Sequence, residues 1–197
     1  LAIIVLSLCF ITSSQADDIS DFQIEGMSIG DSLLNYLSES EIKKFKRKTA
    51  FKDKTYSRYL IVNHKNHSSN FNALRIYTKT NDKKYIIANL GGMKQFSNTF
   101  DKCLEEKKNL LNDVKLVLGT SKNYKTEKNK KRKRKQDKSG KSYDIITVYQ
   151  FDDGAQMMAS CINWSKKMKY SDMLDLSIMN KEHKEWNLKA YKNLNIN

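Results

Sequence analysis

The sequence predicts an α+β fold in which a mostly antiparallel sheet carries a long helix and a C-terminal helix packed on one face. Three observations support this prediction. Segments rich in β-branched and aromatic residues are separated by turn signals, which is typical of hairpins. One uninterrupted helical pattern lies between two groups of such segments, and a second ends the chain. Hairpin-linked strands with helices gathered between them favour an antiparallel sheet covered by helices.

Residues 1–16 have the character of a secretory signal peptide. Leu1–Thr12 is an uncharged apolar run, and small residues fit the rule for cleavage after Ala16. The run is shorter than the roughly 20 residues that a spanning helix needs. We therefore expect residues 17–197 to form a single α+β domain without a transmembrane span, located in the periplasm or outside the cell. Whether the chain is instead lipidated at Cys9 stays open.

The first half of the remaining chain is predicted to hold strands and short helices. Asp21–Glu25 alternates apolar and polar residues and predicts a strand. Ser28 and Ser38 each precede an apolar helical pattern and are expected to cap a helix. Gly91-Gly92 is expected to end the last strand of this half. Three strands are rich in aromatic and β-branched residues: Tyr56–Val62, Phe71–Thr78 and Lys84–Leu90.

The second half is predicted to start with the long helix, Asn98–Leu118, followed by Gly119 at the position of a left-handed cap. Asn180 is expected to cap the final helix. The recurring face of the long helix comprises Phe100, Cys103, Leu104, Lys107, Leu111, Val114 and Leu118. The predicted strands are Tyr143–Phe151, Gln156–Trp164 across an Asp-Gly turn, and Leu174–Ile178.

Two cysteines, Cys103 and Cys161, remain once the signal peptide is removed. An even number of cysteines in an exported domain favours a disulfide. A bond between these two would attach the long helix to a strand, which is a structural role. The alternative is a pair of buried thiols.

Positive charge is concentrated in residues 122–141, where eleven basic residues face two acidic ones and supply +9 of the formal +14. Such a run is typical of a flexible, solvated loop. The alternative is a segment that binds lipid headgroups, polysaccharide or nucleic acid. Nucleic acid is the least expected of the three, because no aromatic residue is interleaved. The candidate anion-binding residues are Lys130, Lys131, Arg132, Lys133, Arg134 and Lys135.

No catalytic, metal or cofactor motif is present in the sequence. His64 and His67 have no further ligand-type residue nearby, and His183 is expected on the surface of the last helix. We expect no metal and no cofactor. The favoured function is an exported non-catalytic binding protein whose partner is an unknown protein or envelope ligand. The alternatives are binding to anionic surfaces through residues 122–141, and an enzyme without a recognisable motif.

The stretch Phe22–Ile42, with the Cys103 helix and the strand Cys161-x-x-Trp164, resembles a group of uncharacterised small exported proteins of AT-rich marine alphaproteobacteria. The resemblance spans most of the mature chain and implies export to the envelope but no activity. Locally, Gly26-Met27-Ser28 is similar to the Gly-Met-Thr helix start of the outer-membrane assembly lipoproteins (SmpA/OmlA-like). This chain departs from that pattern by lacking its lipidated cysteine and its Gly-x-Pro.

Overall fold

The computed structural model describes residues 18–62, 70–97, 99–119 and 123–193. The strands are β1 (Lys46–Arg47), β2 (Tyr56–Val62), β3 (Ala73–Lys79), β4 (Ile87–Phe96), β5 (Tyr124–Lys133), β6 (Tyr143–Phe151), β7 (Gln156–Asn163) and β8 (Asp172–Met179). The helices are α1 (Glu39–Phe45), α2 (Phe100–Leu118) and α3 (Lys181–Lys192). The strands form one sheet in the order β1-β2-β3-β4-β8-β7-β6-β5, with every neighbouring pair antiparallel. The predicted α+β class and antiparallel sheet are confirmed.

The face of the sheet that contains Cys161 carries the main hydrophobic core. α2 packs into this core through Val114 and Leu118, and the N-terminal residues 18–45 contribute further apolar side chains to it. The pairing register sets four buried residues of neighbouring strands side by side on this face: Ile76, Leu90, Ile178 and Met157.

A disulfide fixes α2 on this face. Cys103 lies in the first turns of α2 and Cys161 lies in β7, and their sulfur atoms are 2.09 Å apart. Both residues are fully buried beside Leu174. The predicted pairing is therefore confirmed, and its role is to hold helix and sheet together.

α3 packs on the opposite face. His183 and Trp186 contact Tyr56 and Tyr77, which β2 and β3 present on the side away from Cys161. This placement corrects the expectation that both helices lie on one face. Side chains alternate along each strand, so the aromatic residues of β2 and β3 create a second apolar surface. The amphipathic α3 covers that surface.

The N-terminal segment forms neither the predicted strand over Asp21–Glu25 nor the predicted helix after Ser28. Its backbone pairs with the start of β4 instead: the Gly30 N–H donates to the Ile87 carbonyl, and the Ile87 N–H donates to the Asp31 carbonyl, both over 2.9 Å. Gly30 also has a φ of 92°, which a right-handed helix does not allow. The segment contains two short 3-10 turns, Ile19–Asp21 and Leu33–Asn35.

β4 continues through Gly91 and Gly92, where the sequence predicts a break. A Cβ atom at position 92 would lie 2.7 Å from the ring of Phe71, so this ring occupies the space of a side chain. At position 91 it would lie 3.0 Å from the Leu176 carbonyl oxygen. These glycines therefore permit close approach within a strand rather than a turn.

None of the helices in the described part of the chain combines the length and the apolar character that a bilayer-spanning helix requires. The predicted signal peptide, residues 1–16, lies outside the described residues.

Candidate functional site

The basic segment is a strand for most of its length. Residues 124–133 form β5, which pairs with β6 at one edge of the sheet. The prediction of a loop over 122–141 is wrong for this part, because residues 124–127 and 130–133 pair in register with β6. A bulge between Glu127 and Lys130 interrupts the register, and Asn129 adopts a φ of 51° there.

Asp144 ties two of the predicted anion-binding residues to the sheet. Arg132 donates to its carboxylate over 2.7 Å and Arg134 over 3.1 Å. The carboxylate is fully buried, whereas the Arg132 side chain is half exposed. One carboxylate thus orients two guanidinium groups and compensates only one of their charges.

The lysines of the tract differ in their contacts. Lys130 pairs with Glu127 over 3.2 Å, and the Lys131 ammonium lies 4.1 Å from the centre of the Tyr143 ring. Between residues 124 and 135, four exposed lysines have neither a carboxylate partner nor a ring contact within the described residues: Lys125, Lys128, Lys133 and Lys135. We call these four the edge lysines.

Residues after β5 form a turn built around Asp137, rather than the predicted flexible loop. Its carboxylate accepts from the backbone N–H and the hydroxyl of both Ser139 and Ser142, over 2.7–3.0 Å. These hydrogen bonds hold the pKa of Asp137 well below its usual range. The Arg134 N–H donates to the Ser142 carbonyl over 3.0 Å, which closes the turn onto β6.

Lys107 connects α2 to this edge of the sheet from inside the core. It is 1% exposed, and its ammonium donates to the Ile145 carbonyl over 2.8 Å and to Asn129 Oδ1 over 3.2 Å. Burial lowers the pKa of Lys107 to about 8, an effect partly offset by the Asp144 carboxylate. The bulge at Asn129 therefore supplies an acceptor for a buried cation.

His183 is buried, not on the surface as predicted. Its Nδ1 lies 3.4 Å from Asn89 Nδ2, and its ring packs in tilted and edge-to-face contacts with Tyr56, Tyr77 and Trp186. Burial lowers the pKa of His183 to about 3, with a smaller contribution from the Arg75 guanidinium. The imidazole is thus neutral and belongs to the core.

The other titratable candidates do not form a site within the described residues. His64 and His67 lie outside the described residues. The described residues contain no group of three or more His, Cys, Asp or Glu side chains placed to hold a metal ion. Lys107 and His183, whose pKa values burial lowers, are enclosed in the core.

On the sheet face that carries α3, the area around the ion pair of Arg75 and Asp175 forms a second candidate surface. Arg75 makes two hydrogen bonds to Asp175, over 2.9 and 3.0 Å. Burial alone would lower the pKa of Arg75, but the Asp175 carboxylate raises it above its ordinary value. Three half-buried methionines lie on the same face: Met93, Met158 and Met173.

Sequence reasoning found the basic tract and the disulfide but missed the roles of Asp144, Lys107 and Asn129. Lys107 did carry a signal, because a lysine on the apolar face of a helix must find a buried acceptor. Asp144 carried a weaker signal, because it is an acidic residue at the start of an apolar strand. Comparison of the chain with protein-family models and with curated proteins finds no match.

Proposed function

We propose that the chain is a non-catalytic binding protein that acts outside the cytoplasm and attaches to anionic surfaces through β5. The observation that carries this proposal is the set of edge lysines, three of which lie on a hydrogen-bonded strand and the fourth just after it. A strand presents its cations in fixed positions, so less conformational entropy is lost on binding than with a disordered loop. The buried disulfide and the signal-like residues 1–16 support an oxidising location.

Lipid headgroups and acidic polysaccharide suit this surface better than nucleic acid. Two aromatic rings lie beside the tract, Tyr143 and Trp164. Each has a cation of the tract over it: Lys131 at 4.1 Å from the Tyr143 ring centre and Arg134 at 5.2 Å from that of Trp164. Rings covered in this way offer little to unstacked bases, which bind by stacking on aromatic faces.

The test compares two variants with the same net charge. One replaces the edge lysines with glutamine (K125Q/K128Q/K133Q/K135Q). The control replaces four exposed lysines of α2 and α3 (K102Q/K108Q/K115Q/K189Q). Binding to phosphatidylglycerol vesicles is measured by co-sedimentation over a salt series.

We expect the edge variant to bind vesicles about 30-fold more weakly, because a lysine near an anionic surface contributes about 1 kcal/mol and about half of the four face one surface. The control is expected to bind like the wild type. Equal losses in both variants would mean that overall charge, not β5, controls attachment. Tighter binding to duplex DNA than to vesicles at equal salt would contradict the assignment to envelope anions.

A second candidate is a protein partner on the open sheet face. The half-buried methionines around the Arg75–Asp175 pair favour it, because methionine adapts its shape to a partner. We expect a partner cross-linked in an envelope extract to be lost with Met158→Glu and retained with the edge variant. A partner retained by Met158→Glu would exclude this face.

A further inference from the structure

A second concentration of positive charge lies at the opposite end of the sheet from β5. A cleft of about 650 Å³ opens beside β1 and the first half of β2. We call it the basic cleft. Five cationic side chains line it: Lys46, Arg47, Lys48, Lys54 and Arg58.

The charge of the basic cleft is not compensated within the described residues. No carboxylate is among the residues that line it, and none of its five cations forms an ion pair in that part of the chain. The loop between β1 and β2 has one acidic residue, Asp53. Its carboxylate accepts from the Thr55 N–H and the Thr55 hydroxyl, over 2.8 and 2.6 Å.

Backbone carbonyls hold three of these cations in place. Arg58 donates to the Lys48 carbonyl over 3.0 Å, Lys54 to that of Phe51 over 2.6 Å, and Arg47 to that of Lys44 over 2.8 Å. A carbonyl orients a cation without cancelling its charge. The cleft is therefore both ordered and strongly positive, unlike a set of mobile surface lysines.

The loop that forms the outer wall is fixed at two points. Phe51 inserts into the α3 cluster, with ring centres 5.3 Å from Trp186 and 5.1 Å from Tyr191. At the other end, the Thr80 hydroxyl donates to the Lys54 carbonyl, and the Thr80 N–H donates to the Thr55 carbonyl over 2.9 Å. The wall thus has its shape before any ligand arrives.

Two residues of β2 that line the cleft each carry a buried donor that has no acceptor in the described part of the chain. The Tyr56 hydroxyl and the Arg58 Nε–H are buried and make no hydrogen bond within the described residues. A buried donor without an acceptor is unfavourable. An oxyanion in the cleft would oppose its five positive charges, whereas a neutral or cationic ligand would leave them unopposed.

We propose that the basic cleft binds a phosphate group carried by a small molecule. A phosphate monoester has a charge near −2 at neutral pH and three acceptor oxygens. Guanidinium groups such as those of Arg47 and Arg58 match its geometry. The cleft lies within the range of about 300–1,000 Å³ typical of small-ligand sites, so it has room for an organic group beside the phosphate.

The test uses isothermal titration calorimetry of the full chain at about 150 mM salt with three probes. These are inorganic phosphate, glycerol 3-phosphate, and vesicles that contain phosphatidic acid; glycerol is the neutral control. Lys48→Gln removes a cation of the cleft but keeps the backbone carbonyl that binds Arg58. Lys52→Gln is the matched control, since Lys52 is exposed in the same loop and does not line the cleft.

We expect saturable binding of glycerol 3-phosphate, weakened about tenfold by Lys48→Gln, and unchanged by Lys52→Gln or by replacement of the edge lysines. Binding of phosphatidic acid vesicles alone would assign the phosphate to a lipid headgroup, and equal binding of inorganic phosphate would assign it to the free ion. The proposal is overturned if no phosphate probe saturates, or if Lys48→Gln and Lys52→Gln bind alike. It stands apart from the function of β5, because the edge variant tests that strand alone.

Discussion

Each of the two larger helices buries a basic side chain against the sheet, Lys107 under α2 and His183 under α3. Lys107 meets two oxygen acceptors and stays close to its charged form, with a pKa of about 8. His183 meets aromatic rings and an amide, with the Arg75 guanidinium nearby, and stays neutral, with a pKa of about 3. Burial lowers the pKa of both groups, but Lys107 starts from 10.5 and His183 from 6.5, and the nearby charge is a carboxylate for Lys107 and a guanidinium for His183. Lys107 therefore stays largely protonated at neutral pH, whereas His183 does not.

Removal of the disulfide is expected to weaken the α2 interface more than any other change proposed here. Replacement of both cysteines (C103S/C161S) opens a link with a sequence separation of 58 residues, and the entropy of a loop of that size corresponds to about 4 kcal/mol of unfolding free energy. Urea unfolding measures the loss. Reductant should destabilise the wild type by a similar amount and leave the double variant unchanged. A loss below about 1 kcal/mol would mean that packing alone holds α2.

Asp144→Asn is expected to have the next largest effect. It leaves Arg132, Arg134 and the nearby Lys107 without their shared carboxylate, and loss of one partner of a buried ion pair costs about 3 kcal/mol. The matched control is Glu127→Gln, which removes the exposed pair with Lys130 and should cost less than about 0.5 kcal/mol. Chemical denaturation of both variants gives the comparison. Equal effects would contradict a structural role for the buried carboxylate.

Acid should weaken the α3 interface. The folded-state pKa of His183 is about 3, below its ordinary value of 6.5, so the unfolded chain binds the extra proton between these values. The stability that neutral His183 provides is complete above pH 6.5 and is lost as the pH falls towards 3. Between about pH 6.5 and 4.5 the loss is about 2 kcal/mol.

His183→Phe should lack this component. The difference between wild type and variant in unfolding free energy, measured at several pH values, cancels the contribution of the carboxylates. A difference that stays constant between pH 6.5 and 4.5 would refute burial of a neutral imidazole.

Raising the pH above 8 should increase the unfolding free energy through Lys107 in the α2 interface, by less than the change expected from His183. Lys107 loses its proton near pH 8 in the folded state and near 10.5 in the unfolded chain. The unfolded state therefore binds more protons in this window, and stability rises with pH. We expect a gain of about 1.5 kcal/mol between about pH 8 and 9.5 in the wild type and none in Lys107→Met. A parallel rise in the variant would assign the gain to other groups.

The local pattern of apolar residues in the sequence correctly predicts the strands and the helix that bury apolar side chains. β2 and β6 match their predicted bounds, and the helical pattern of α2 includes the buried Lys107. The predicted caps of α1 and α3 are also confirmed. The Ser38–Glu41 capping box begins α1, and Asn180 caps α3 through the His183 N–H.

The local sequence pattern gives wrong predictions where contacts with residues distant in the sequence decide the structure. β5 has no apolar alternation, and it is a strand because β6 offers it an edge and Asp144 anchors its arginines. Gly91 and Gly92 look like a break in sequence, yet Phe71 and Leu176 fill the space of their missing side chains. The basic cleft is similarly hidden, because its cations converge only after Phe51 attaches the loop to α3.

The bulged outer edge of β5 has a consequence for the behaviour of the protein in concentrated solution. A strand of ten residues at the end of a sheet, in a chain without proline, exposes backbone donors and acceptors to which a second copy could add a strand. Rows of like charge on two copies repel each other within a Debye length of about 8 Å at physiological salt. Colloidal stability should therefore be greatest at low ionic strength and fall as salt screens the edge lysines.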